Sequence, residues 1–190
     1  MTTIGLIRHG STEWNKLGKM QGQMDTSLTE EGRAQARLLG HRMKNEAWTG
    51  IFSSDLSRAR ETAEIISAIS GIPILGFDAR LRERSFGQVE GTKEQERIDR
   101  WGADWKKLDL GGETNEQVLA RWHDFLEQLA TNASDERLLL ISHGGFIVQI
   151  LRALSMEQDE FLQNTSLTIL KRTDSSWELV LYNCLVHLES

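Results

Sequence analysis

The chain has 190 residues, 39% of them hydrophobic, which is enough for one substantial core but short for two. Its net charge of −6 argues against a nucleic-acid or anionic-membrane partner, and its single cysteine allows no internal disulfide. Nothing in the sequence resembles a secretion signal or a membrane span, so we expect a single cytoplasmic domain over residues 1–190.

The first half of the chain alternates short apolar runs with amphipathic segments. Residues 3–7 are typical of a buried strand, and Thr29 is predicted to cap a helix that ends near residue 46. Residues 51–53 predict a second strand, after which Asp55 is predicted to cap the next helix. A third strand is expected over residues 73–77.

The second half begins with a long polar and helical region, followed by a helix that Thr114 is predicted to cap. Residues 138–141 predict a strand and residues 145–154 a helix. The runs 166–172 and 177–182 are typical of an antiparallel pair. Alternating strands and helices predict a three-layer α/β/α fold with a mainly parallel central sheet.

Two of the predicted strands end in a histidine followed by glycine. Arg8-His9-Gly10 follows the first strand, and Ser142-His143-Gly144 follows the strand over residues 138–141. Ligands of open α/β sheets bind beyond the carboxyl ends of the strands. We therefore expect both imidazoles to meet over one site.

The residues beside these histidines suit phosphoryl chemistry. A phosphate monoester dianion requires several hydrogen-bond donors and about two positive charges. Arg8 adjoins His9, and Arg58 lies in the first turn of a predicted helix, where the backbone also favours an anion. Two nearby cations should lower the pKa of His9 and leave a neutral ring available as a nucleophile. His143 could then donate to the phosphoryl oxygens.

A histidine at a strand end is more often structural than catalytic, so the joint placement of His9 and His143 is what favours a functional role. The other three histidines are interpreted as structural: His41, His123 and His187. No carboxylate cluster with metal-ligand spacing stands beside the site. The sequence therefore predicts neither a metal nor another cofactor.

Residues 6–15, LIRHGSTEWN, resemble the signature of the histidine phosphatase superfamily, which includes the cofactor-dependent phosphoglycerate mutases. Further segments match in order, so that the resemblance covers about residues 4 to 150. They are residues 21–22, 25, 28–32, 53–63, 81–91, 111–114 and 142–145. The resemblance implies a phosphoglycerate mutase-like fold.

The resemblance also implies a role for each matching residue. His9 would be the nucleophile that becomes phosphohistidine, and Glu83 would protonate the leaving alkoxide and then activate water. A bound phosphate favours the protonated form of such a carboxyl group. The phosphate site would comprise Arg8, Asn15, Gln21, Gly22, Arg58, Glu83, His143 and the backbone of Gly144. Without the resemblance, Glu13, Glu90 and Glu113 remain alternatives to Glu83.

Three kinds of function are compatible with these residues: a phosphoric monoester hydrolase, a phosphoglycerate mutase and a non-catalytic phosphate-binding module. Mutases of the superfamily usually have a longer C-terminal segment that closes over the site, and they tend to carry Asn at the position of Gly145. Only residues 183–190 follow Tyr182 here, and a phosphohistidine open to water tends to hydrolyse. The presence of nucleophile, cations and candidate acid disfavours a binding module. We therefore predict a hydrolase.

The expected partner is a small phosphorylated metabolite whose identity the sequence leaves open, as it does the oligomeric state. Residues 92–109 are expected to help build the mouth of the site. They contribute basic and aromatic side chains, namely Arg97, Arg100, Trp101, Trp105 and Lys106.

Overall fold

The computed structural model describes residues 2–132, 136–156, 158–174 and 176–189. Its centre is a six-stranded sheet with the strand order β3-β2-β4-β1-β5-β6. The strands are β1 (Thr3–Arg8), β2 (Gly50–Ser53), β3 (Ile74–Phe77), β4 (Arg137–Ser142), β5 (Leu167–Arg172) and β6 (Trp177–Cys184). β1 to β4 run parallel, whereas β5 and β6 are antiparallel to their neighbours. The predicted α/β class is confirmed.

Helices cover both faces of this sheet. They are α1 (Glu13–Lys16), α2 (Glu30–Met43), α3 (Ser57–Ser70), α4 (Glu94–Trp101), α5 (Asn115–Asn132) and α6 (Gly144–Ala153). α2 and α3 pack on one face, and α5 and α6 on the other. Within the described part of the chain, no helix is long and apolar enough to cross a membrane.

β1 lies inside the sheet, and its side chains alternate between the two cores. Ile4 and Leu6 are fully buried in the core beneath α5 and α6, whereas Ile7 joins the core beneath α2 and α3. All six residues of β1 are buried, as expected for a parallel strand covered on both faces. This packing fixes the position of the residues that follow the strand.

The predicted cap of α3 is wrong. Asp55 forms an ion pair with Arg82 instead, and Leu56 occupies the capping position without a side-chain bond. The carboxylate that serves this helix end comes from Asp25, which accepts from the backbone N–H of Ser57 at 2.8 Å. A cap supplied by a residue so distant in sequence cannot be recognised from the local pattern.

The predicted caps of α2 and α5 are confirmed. The Thr29 hydroxyl accepts from the backbone N–H of Gly32 at 3.0 Å, and that of Thr114 accepts from Gln117 at 3.2 Å. α2 ends at Met43 rather than near residue 46. α6 begins and ends one residue earlier than predicted, and β6 extends two residues further, to Cys184.

Candidate active site

A pocket of about 640 Å³ opens at the carboxyl end of β1, beside the N-terminus of α6. Its wall contains most of the predicted site residues: Arg8, His9, Asn15, Gln21, Gly22, Arg58, Glu83 and Gly144. Since β1 and β4 are adjacent and parallel, the residues after both strands come together, as the sequence predicted.

His9 is held in one tautomer and orientation. Its Nδ1 donates to the carbonyl of Gly10 at 2.7 Å, and its Nε2 accepts from Nε of Arg58 at 3.3 Å. Burial, and then the charges of Arg58 and Arg8, lower the pKa of His9 well below 6.5. The direction that the sequence predicted is confirmed, although burial contributes more than the arginines. The ring is therefore neutral, with an unprotonated Nε2 at the pocket.

Two buried arginines border the His9 ring. Arg58 is fully buried and donates to the carbonyls of Gly22 at 2.7 Å and Met24 at 2.8 Å. Burial lowers its pKa to about 10, which still leaves it charged at neutral pH. Arg8 donates to the carbonyl of Leu162 at 2.6 Å, and its buried Nε has no hydrogen-bond partner among the described residues. The pocket thus carries two fixed positive charges at the imidazole.

His143 lies next to His9, with 5.1 Å between the ring centroids, but it is fully buried and is not part of the pocket wall. Its Nε2 bonds the Ser54 hydroxyl at 2.9 Å, while no described atom bonds its Nδ1. Burial, followed by the charge of Arg58, lowers the pKa of His143 well below 6.5. The second imidazole is therefore also neutral.

Three further predicted residues line the pocket: Asn15, Gln21 and Gly22. Oδ1 of Asn15 accepts from the backbone N–H of Thr12 at 3.1 Å, which leaves its Nδ2 as a donor for the pocket. Oε1 of Gln21 accepts from the hydroxyls of Thr12 at 3.0 Å and Thr26 at 2.6 Å. Gly22 has a φ of +52°, a conformation that favours glycine, and this backbone turns its carbonyl toward Arg58.

Glu83 binds the N-terminus of α6. Its Oε1 accepts from the backbone N–H groups of Arg84 and Phe146, both at 2.8 Å, and its Oε2 accepts from Gly145 at 3.0 Å. A Cβ on Gly145 would lie 2.8 Å from Oε1, so a side chain there would force the carboxylate to shift. The helix end therefore fixes the carboxylate in the pocket wall.

The alternative carboxylates occupy other environments. Glu90 accepts from the backbone of Gln23 and Phe86, and Glu113 forms an ion pair with Arg121. Glu13 is exposed on α1. Of the four candidates, only Glu83 lines the pocket that contains His9.

A sequence profile of the histidine phosphatase superfamily, branch 1, matches residues 4–185, nearly the whole chain. The chain belongs to this superfamily. The match includes both histidine segments, both buried arginines and the segment of Glu83, so the family resemblance of the sequence is confirmed.

Relatives within the superfamily carry different names. A metal-independent phosphoserine phosphatase of Arabidopsis thaliana is 33% identical over 201 residues, which cover 100% of this chain and 84% of that protein. A probable phosphoglycerate mutase of Photorhabdus laumondii is 35% identical over 197 residues, which cover 93% and 88% of the two chains. The solved structure of Bacillus stearothermophilus YhfR has a TM-score of 0.88 at 29% identity and covers 99% of this chain and 100% of that one.

Sequence reasoning missed the contribution of the segment before β5 to this histidine phosphatase site. Nδ2 of Asn164 donates to the carbonyl of His9 at 2.8 Å and to Oδ1 of Asn15 at 3.3 Å. The Phe161 ring lies 5.0 Å from the guanidinium carbon of Arg8. Phe161 and Asn164 do not directly follow a strand and belong to no periodic pattern. In the sequence, only their position shortly before β5 could have indicated them.

No group of three or more His, Cys, Asp or Glu side chains that could hold a metal ion occurs among the residues described. Metal independence remains a prediction.

Proposed function

We propose that this protein is a metal-independent phosphomonoesterase that hydrolyses small phosphorylated metabolites through a phosphohistidine on His9. The protonation state of the His9 ring is the main support. Its Nδ1–H is bonded to the carbonyl of Gly10, so the lone pair of Nε2 is the one that can attack phosphorus.

The groups around Nε2 match the charge that develops during phosphoryl transfer. Arg58 and Arg8 neutralise the phosphoryl oxygens, and the unpaired Nε of Arg8 supplies a donor. Nδ1 of His143, also unpaired within the described structure, would bond another of these oxygens. Asn15 and the backbone N–H of Gly144 would complete the phosphate site.

In the first step, Nε2 of His9 forms a bond to phosphorus as the ester P–O bond breaks. The leaving alkoxide takes the proton of Glu83. Both lone pairs of Oε1 are engaged by Arg84 and Phe146, whereas Oε2 accepts only from Gly145, so Oε2 would carry that proton.

In the second step, water attacks the phosphohistidine and gives a proton to Glu83. The N–P bond breaks, and neutral His9 and inorganic phosphate are released. A mutase would instead return the phosphoryl group to a second hydroxyl of a bound phosphoglycerate.

Gly145 favours hydrolase over mutase. The mutases that this sequence resembles tend to carry Asn at this position, and any Cβ there would lie 2.8 Å from Oε1 of Glu83. A side chain there would require the carboxylate of Glu83 to shift from its present position. The relative named a metal-independent phosphoserine phosphatase supports the same choice, whereas the relative named a probable mutase represents the alternative.

Rapid quench with a phosphate ester labelled at phosphorus should trap label that is acid-labile and base-stable. His9→Ala should abolish this label, whereas His41→Ala, which alters an exposed histidine of α2, should retain it. Label that survives in His9→Ala would refute the assignment of His9 as the nucleophile.

The reaction class is tested with the same enzyme. Phosphate release from a panel of monoesters should exceed isomerisation of 3-phosphoglycerate. Much faster isomerisation would establish the mutase alternative instead.

A further inference from the structure

The imidazole of His143 is neutral, so its single ring proton lies on either Nδ1 or Nε2. Nε2 is engaged by Ser54, which leaves Nδ1 for a phosphoryl oxygen. A proton on Nδ1 makes this nitrogen a donor to that oxygen, whereas a proton on Nε2 leaves a lone pair on Nδ1 that would repel it. The tautomer of His143 therefore decides whether this ring can bind the phosphoryl group.

The contact between Ser54 and His143 is held by the central sheet. Ser54 follows β2 directly, and its backbone N–H donates to the carbonyl of Ile141 in β4 at 2.9 Å. His143 follows the end of the same strand, β4. Both side chains are fully buried, and the Ser54 hydroxyl lies 2.9 Å from Nε2. The two parallel strands therefore fix this hydrogen bond away from bulk solvent.

The other hydrogen bond of Ser54 indicates which group donates. Its Oγ accepts from the backbone N–H of Leu56 at 3.3 Å, and among the described residues Nε2 of His143 is the only acceptor bonded to its hydrogen. If Nε2 donated instead, the hydroxyl hydrogen would be buried without an acceptor, at the cost of an unsatisfied polar group. Ser54 therefore donates to Nε2, and the ring proton of His143 lies on Nδ1.

The two histidines then have the same tautomer but offer opposite groups. In His9, Nδ1–H is bonded to the carbonyl of Gly10, so the lone pair of Nε2 is left. In His143, Nε2 is bonded to a hydroxyl, so Nδ1–H is left. The ring centroids are 5.1 Å apart. A carbonyl acceptor on one ring and a hydroxyl donor on the other thus distinguish a nucleophile from a hydrogen-bond donor.

We propose that Ser54 is a positioning residue that holds His143 in the Nδ1–H tautomer and so makes this ring a donor to the transferring phosphoryl group. Ser54 is not part of the described pocket wall, so it acts only through His143. Its effect on turnover rests on the proposed function, because it assumes a phosphoryl group at His9. The tautomer itself is a property of the free protein.

The tautomer is measured in long-range proton–nitrogen correlation spectra of protein labelled with ¹⁵N-histidine, which separate protonated from unprotonated ring nitrogens. His143→Ala identifies the signals of this ring by their disappearance. In the wild type at neutral pH we expect a protonated Nδ1 and an unprotonated Nε2. Ser54→Ala should move the proton toward Nε2, because Nε2 loses its donor and the charges of Arg58 and Arg8 favour a lone pair on the nitrogen that faces them.

Rapid quench measures the consequence for phosphoenzyme formation. This step should slow about tenfold or more in Ser54→Ala, the size expected when a hydrogen bond to a charged group is lost. Ser54→Thr keeps a hydroxyl and should keep both the tautomer and most of the rate. Ser53→Ala is the matched control, since it removes a buried hydroxyl that donates to the carbonyl of Ser54 rather than to His143, and it should change neither.

A wild-type His143 that is protonated on Nε2 would overturn the inference, and this spectrum decides the tautomer even if Ser54→Ala fails to fold. Ser54→Ala that keeps the Nδ1–H tautomer or the wild-type rate would overturn the role of Ser54. Equal slowing in Ser53→Ala would do the same, since packing at the end of β2 would then explain the loss. Failure of the proposed function is distinct: it would appear as the absence of a phosphohistidine in the wild-type enzyme, whichever tautomer the spectra show.

Discussion

Replacing Glu83 by Gln perturbs both the N-terminus of α6 and the proposed proton donor. The amide oxygen of Gln can accept from Arg84 and Phe146, but its NH₂ group then faces the N–H of Gly145, which lies 3.0 Å from Oε2 in the wild type. If the amide is rotated by 180°, its NH₂ group faces Arg84 and Phe146, and two backbone N–H groups lose their acceptor instead of one. We expect the free energy of unfolding to fall by about 1–3 kcal/mol, the cost of an unsatisfied donor. Urea denaturation measures this change.

The kinetic effect of Glu83→Gln should depend on the leaving group. Loss of a general acid slows the expulsion of an alkyl alkoxide by about 10²–10⁴-fold, whereas p-nitrophenolate leaves without a proton. Phosphoenzyme formation should therefore slow far more with an alkyl phosphate than with p-nitrophenyl phosphate. Hydrolysis of the phosphoenzyme should slow equally for both esters. Pre-steady-state bursts separate the two steps.

Glu13→Gln is the matched control, because it removes the same charge from an exposed site and should change neither step. If the rate of phosphoenzyme formation fell equally with both esters, Glu83 would not be the general acid and would be a positioning residue. Unchanged stability of Glu83→Gln would contradict the hydrogen-bond argument.

Gly145→Ala places a Cβ 2.8 Å from Oε1 of Glu83 and should reproduce the leaving-group dependence in burst kinetics, whereas a Cβ on Gly144 has its nearest contact at 3.4 Å and should not. Because burial holds the pKa of His9 well below 6.5, the ring stays neutral as the pH falls through 6.5. The rate of phosphoenzyme formation should therefore begin to fall only below pH 6.5. A fall in this rate centred near pH 6.5 would contradict the argument. Burial lowers the pKa of His187 to about 4, so its neutral form stabilises the fold above pH 6.5. That stability is lost on acidification, by about 2 kcal/mol between pH 7 and 5, and His187→Asn should remove this part of the dependence in denaturation measured at each pH. Activity should survive EDTA; complete loss that Mg²⁺ or Zn²⁺ restores would disprove metal independence.

The sequence predicted the part of the site that follows strands. His9 and His143 are recognisable because a buried apolar run precedes each, and parallel strands bring such ends together. Gly145 is different: its backbone N–H donates to the carboxylate of Glu83, which lies 62 residues earlier. The pairing of a helix end with a distant carboxylate depends on tertiary packing, which no local pattern records.

Asn164 and Asp25 show the same limit. Asn164 bonds the carbonyl of His9 from 155 positions away, and Asp25 binds the N-terminus of α3 from an earlier loop. Local propensity could favour a cap at Asp55, but it could not show that Arg82 engages that carboxylate.

The bond from Arg8 to the carbonyl of Leu162 joins residues 154 positions apart, and β1 is paired on both sides with strands from the last third of the chain. Contacts of such sequence separation carry a large loop-closure entropy and form slowly. The site is therefore complete only after β1 has paired with strands from the last third of the chain. Recovery of activity then reports the completion of folding rather than the early collapse of the chain. A chain that has not yet joined these segments lacks the complete site around His9.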